Sequence, residues 1–121
     1  MHSRSPKLLE DIRDAAAFIV EVARGRSLDD YGRDRLLRQA VERNFEIKGE
    51  AVRRLAHSDP ATAARIREVP QIIAFRNVLI HGYDLVDHAL VLSTIEHQVP
   101  ALLVDVETLL RAGRAPNATG P

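Results

Sequence analysis

The sequence predicts an all-α protein, a bundle of four to five helices. Three observations carry that prediction. Apolar residues recur at spacings of three and four through most of the chain, and nothing alternates with period two over a strand's length. The chain has 121 residues, enough to bury one core and too few for two domains. Ser, Asp, Gly and Pro stand where such helices need starts and stops.

The first helix is expected to take Ser5 as its N-cap and Pro6 in its first turn, where a missing N–H costs nothing. Its stripe is Leu8, Leu9, Ile12, Ala15, Ala16, Ile19, Val20 and Ala23, and Gly25 stops it. Ser27 caps a short segment running to Tyr31. A longer helix follows over about 34–56, with Leu37, Ala40, Val41, Asn44, Ile47, Ala51 and Leu55 inward and Arg and Glu around them. Asn44 is the polar member of that stripe. It is read either as a satisfied buried amide or as a group reaching across a helix crossing. Gly49 lies mid-helix at a cost of about 0.5–1 kcal/mol relative to Ala, which points to a close crossing within the bundle or at a dimer. Lys48, beside it, is expected to face solvent.

His57-Ser58-Asp59-Pro60 breaks the long helix, and a short weak helix over 61–67 is expected before Pro70. A third main helix covers about 70–80, and a fourth covers about 87–110, kinked or split at Pro100. The helical domain is drawn at 1–112, and the Gly, Pro, Ala and polar stretch 113–121 is expected to be a disordered tail.

Seventeen Lys and Arg balance seventeen Asp and Glu, which argues against wholesale charge-driven binding to nucleic acid. The balance is uneven along the chain. Between Arg24 and Arg67 ten Arg and Lys48 face seven acids, whereas from Asp84 to Leu110 there are five acids and no Lys or Arg. Polyanion contact is therefore expected to be local. The absence of cysteine removes disulfides, thiolate zinc sites and cysteine nucleophiles. The longest uninterrupted apolar run, Ala15 to Val20, is too short to span a bilayer, so a cytoplasmic protein with no membrane contact is expected.

Gly-rich phosphate loops, His-Glu-x-x-His and nucleophile elbows are all missing. Asp84, Asp87 and His88 are better explained by helix capping than by a metal, and no metal or cofactor is expected. One segment differs. Phe75-Arg76-Asn77-Val78-Leu79-Ile80-His81-Gly82-Tyr83 places Arg, Asn, His and Tyr at the end of an otherwise apolar helix. Asn77, His81 and Asp84 fall on one stripe, and Arg76 and His81 are about 140° apart around the axis, so they flank a groove. A guanidinium can neutralise charge developing on a phosphorane while an imidazole moves protons to or from a 2′-hydroxyl. Asn77 would orient His81 or a phosphate oxygen. A single His supplies one proton-transfer group, so a second copy of the chain would complete the mechanism across a two-fold axis. The plainer alternative is that His81 complements the helix dipole, Gly82 terminates the helix in a left-handed conformation, Arg76 pairs with an acid such as Asp84, and Tyr83 packs.

Arg76-Asn77-Val78-Leu79-Ile80-His81-Gly82-Tyr83 is similar to the Arg-x4-His-x-Tyr signature of HepT-like toxins, a branch of the HEPN superfamily. The stretch 40–51, with its Gly49-Glu50-Ala51 step, resembles the second helix of that family, and Tyr83 to Asp87 followed by Pro100-Ala101-Leu102 resembles its fourth. The resemblance implies a helical homodimer with the signature helices at a shared cleft and metal-independent cleavage of RNA. Carried over, Arg76 and His81 are catalytic, Asn77 is a supporting group, and Tyr83 is the residue to which an MntA-like nucleotidyltransferase antitoxin can attach AMP; Asn44 is a supporting group if it reaches His81 across the crossing. The alternative role is a non-catalytic partner whose groove binds a nucleotide or docks such a nucleotidyltransferase. The chain departs from relatives in having no Trp and in carrying Lys48 where an aliphatic residue is usual.

Overall fold

The structure, a computed structural model, describes residues 1–82 and 86–114. Tyr83 and Asp84 therefore lie outside the described residues, as do residues 115–121 of the expected tail. Among the described residues there are six helices and no strand: α1 (Ser5–Ala23), α2 (Leu28–Arg33), α3 (Arg35–Ser58), α4 (Pro60–Ala63), α5 (Val69–His81) and α6 (His88–Arg114). Helix α1 packs against both α3 and α6, and α5 packs against α3.

Local chemistry sets the boundaries. Ser27 caps α2 with a reciprocal capping box to Asp30, and Asp34 accepts from the Leu37 N–H to start α3. Gly25, at φ 75°, takes the left-handed turn after α1. Ser5 departs from its expected role. It lies inside the first turn of α1, buried, and its hydroxyl donates to Asp59 Oδ2 at 2.7 Å instead of capping the helix. Asp59 also accepts from the His2 N–H and from the Thr62 hydroxyl and N–H, so one carboxylate ties α1 to the α3–α4 junction. The weak helix expected over 61–67 shrinks to the single turn of α4. Arg67 is then clamped on Asp105 and the Ala101 carbonyl of α6, and Glu68, at φ 61°, turns the chain into α5. Helix α6 continues unbroken through Pro100 and extends two residues past the expected domain boundary.

The core has two clusters. One gathers Leu9, Ile12, Val52, Leu55, Ile72, Leu102 and Val106; the other gathers Ile19, Tyr31, Val41, Phe45, Leu79, Val91 and Val99. By length and composition alone α6 could cross a membrane, but in the bundle its residues Val91, Ile95, Val99, Leu102, Val106 and Leu109 face the core.

Leu37, Val41, Ala51 and Leu55 face inward on α3 as expected, and between Val41 and Ala51 the buried face is rotated from the expected one. Val41, Phe45, Lys48, Val52 and Leu55 are buried, whereas Ile47 is exposed and Asn44 half-buried. Lys48, expected in solvent, is only 1% exposed, with Nζ 4.6 Å from the centre of the Phe45 ring. Its four-carbon stem is buried in the seam beside Phe45 as an aliphatic residue would be. Phe45 in turn stacks edge-on against Phe75 of α5.

Candidate active site at the crossing of α3 and α5

Gly49 makes the site possible. A Cβ added there would stand 2.4 Å from the Arg76 Cβ, so only glycine lets the Arg76 stem lie across α3. The half-to-one kcal/mol that Gly costs in a helix is thus offset by an approach that no other residue permits.

Arg76 is three-quarters buried, with Nη2 3.3 Å from Glu50 Oε1 and Nη1 donating to Asn77 Oδ1 at 2.9 Å; Nε is buried without a partner among the described residues. Glu50 also accepts from Arg53 at 3.0 and 2.8 Å and from Arg54 at 2.9 Å. Arg53 first and then Arg54 hold the Glu50 carboxyl down at about 2, and Arg76 adds to the effect. One carboxylate thus gathers three guanidinium groups, an arrangement that leaves surplus positive charge beside it. The partner proposed for Arg76 from sequence, Asp84, lies outside the described residues. Glu50 was visible there only within the Gly49-Glu50-Ala51 step.

Arg76 and Glu50 lie on an open groove of about 390 Å³, walled by Leu8 and Asp11 of α1, Arg43, Glu46, Ile47 and Arg54 of α3, and Ile80 of α5, with Arg43 paired to Glu46 at 3.4 Å. His81 follows Ile80 as the last residue of α5 and is exposed. Gly82 terminates the helix with its N–H on the Val78 carbonyl, at φ −119°, so the expected left-handed conformation is not adopted. A Cβ there would stand 3.1 Å from that carbonyl, and lack of space explains the glycine instead.

The structure places the expected residues unequally. Arg76 and Asn77 touch, so Asn77 orients the guanidinium rather than the imidazole. Asn44 donates to the Ala40 carbonyl of its own helix and lines a shallow groove with Asp14, Ala15 and Phe18 of α1, away from α5. It is the satisfied amide of the two readings. His81 stands five residues beyond Arg76, about 7.5 Å along the axis and 140° around it, so one copy does not aim both at the same atom. Among the described residues no three His, Asp or Glu side chains are grouped to hold a metal ion.

An all-helical bundle with this Arg and His on one helix is the architecture of a HEPN-type domain, and the comparisons agree. The family model described as "Ribonuclease HepT-like" matches residues 12–109. The chain belongs to that family. It is 31% identical over 103 residues to a protein of Caldanaerobacter subterraneus subsp. tengcongensis named "Putative RNase TTE0752", covering 85% of this chain and 91% of the relative. It is 33% identical over 104 residues to "Probable ribonuclease HepT" of Thermococcus cleftensis, covering 84% and 91%, and 29% identical over 101 residues to "Putative RNase MJ1380" of Methanocaldococcus jannaschii, covering 82% and 90%. No solved structure matches the chain.

Proposed function

We propose that this protein is the toxin of a toxin–antitoxin pair and cleaves RNA without a metal ion, using Arg76 and His81. The observation that carries the reading is the seating of Arg76: a guanidinium held across Gly49, clamped by Glu50 and Asn77, on an open groove of about 390 Å³. Such a preset cation stabilises charge that develops in a transition state without reorganising. In the reaction a neutral His81 takes the proton from a ribose 2′-hydroxyl, whose oxygen attacks the adjacent phosphorus. The bond to the 5′-oxygen of the next nucleotide breaks, and that oxygen takes a proton from a second imidazole. The products are a 2′,3′-cyclic phosphate and a 5′-hydroxyl.

A homodimer supplies the second imidazole. Helix α5 is apolar on nearly every side, and Ala74 and Val78 remain exposed beside Asn77. A helix apolar all round needs cover on each face, and a second copy docked here would bring the partner's His81 into reach. Tyr83, two residues beyond His81, is the proposed acceptor of AMP from an MntA-like nucleotidyltransferase antitoxin. The added phosphate would repel RNA from the groove.

Purified wild type, Arg76→Ala and His81→Ala, incubated with total cellular RNA, test the reading. Both variants should lose cleavage while keeping the circular dichroism of wild type. If wild type fails to cut and both variants instead lose binding to the nucleotidyltransferase, the groove is a docking site and the ribonuclease reading fails.

A further inference from the structure

A second groove, of about 650 Å³, continues from the one that holds Arg76; the two share Leu8, Asp11 and Arg54. It runs between the N-terminal turns of α1 and the C-terminal turns of α3. Its charged lining is Arg4, Lys7, Arg53 and Arg54, with His57, against the single carboxylate of Asp11. Asp11 is itself paired with Lys7 at 2.9 Å. The chain as a whole is neutral, so this excess is local. Arg4 is exposed, Lys7 keeps 76% of its side chain in solvent, and Arg53 and Arg54 are both more than half exposed while holding Glu50.

We propose that this groove is a phosphate track, which binds the backbone of single-stranded RNA as it leaves the Arg76 site. The inference rests on the ribonuclease reading of that site. From Glu50 to His57 the helix rises about 10 Å, which carries cations well beyond a single scissile phosphate. Leu8 is the single apolar side chain in its lining, so its match to a polyanion lies in the charged heads around it. Arg and Lys contacts to phosphate need no base identity, so the track adds affinity without sequence preference.

The test is the double variant Arg4→Gln/Lys7→Gln, two exposed residues outside the Arg76 groove, with Arg24→Gln/Arg26→Gln from the α1–α2 turn as control. A fluorescent 2′-O-methyl oligoribonucleotide, which has no 2′-hydroxyl to attack, reports binding independently of cleavage. The double variant should bind about tenfold more weakly at low salt, and its log Kd should depend on log salt with a slope smaller by about 1.4, two contacts at 0.7 each. The control should match wild type. KM for long RNA should rise in the double variant. If wild type binds the oligonucleotide and the double variant binds less, but neither cuts any RNA, the track stands and the ribonuclease reading falls. Equal affinity and equal salt slope in wild type and double variant overturn the track, even if the groove then proves to capture an acidic protein.

Discussion

Gly49, Glu50, Arg76 and Lys48 lie within one turn of the same crossing, and each makes a separate prediction. Gly49→Ala would gain up to about 1 kcal/mol in helix propensity. Its methyl would meet the Arg76 stem at 2.4 Å, and overpacking of that kind costs about 1–3 kcal/mol. Net destabilisation in urea is therefore expected, together with weaker cleavage, because Arg76 must move. Glu50→Gln removes the charge that gathers the three guanidinium groups. Misplacing Arg76 should lower kcat roughly ten- to a hundredfold while KM stays put or falls. Because the Glu50 carboxyl is held below its ordinary value, its contribution to stability is full above about pH 4.3 and is lost as pH falls towards 2. Gln should flatten that acid limb. Lys48 makes stability rise with pH as well, for a different reason and in a higher window. Burial pulls its ammonium down to about 7, so the unfolded chain holds more protons than the folded one between about pH 7 and 10, and stability rises with pH across that window. No carboxylate among the described residues pairs with it, so Lys48→Met should stabilise by about 2 kcal/mol at neutral pH and remove the dependence; thermal melts from pH 6 to 10 read both.

At the scale of elements, the seating of α1 depends on a single carboxylate. Asp59 collects Ser5, Thr62 and the His2 N–H, and these bonds hold its carboxyl well below the usual range, the Thr62 hydroxyl most strongly. Asp59→Ala should lower Tm and expose the α1 N-terminus to protease, since it strands two hydroxyl donors at once. Tyr31 behaves in reverse. It packs edge-on against His88 with its hydroxyl buried and unpartnered among the described residues. Tyr31→Phe should therefore leave the fold intact and raise stability by about 1 kcal/mol. The helices themselves were legible in the sequence wherever a cap or a 3–4 stripe announced them, as at Ser27, Asp34 and Gly25. The rotation of α3 was not, because Asn44 and Ile47 fit a stripe as well as Phe45 and Lys48 do. Only packing against α5 decides between them. Gly49 did signal a close crossing from its cost alone, but the partner across it required the fold. Lys48 was misplaced for a related reason: charge favours solvent, and the burial of its long apolar stem beside Phe45 is invisible without its neighbours.

For the whole molecule, the Arg and His of the signature were legible and their relation was not. Spacing on one helix sets them about 140° apart, and the fold turns Arg76 inward while His81 stays exposed. The proposed dimer resolves that divergence. Val78→Glu, on the exposed face of α5, should give a monomer by light scattering and abolish cleavage without lowering Tm by more than a few degrees. Mixing inactive Arg76→Ala with inactive His81→Ala should restore no activity, because the mixed dimer holds one imidazole and the proposed reaction uses two. The most direct test of RNA cleavage by Arg76 and His81 is to digest a defined RNA with the purified protein in EDTA and to determine the chemistry of the new ends. Ends bearing 2′,3′-cyclic phosphate and 5′-hydroxyl, absent with His81→Ala, are the predicted result. Ends bearing 5′-phosphate, or cleavage that EDTA abolishes, would contradict it.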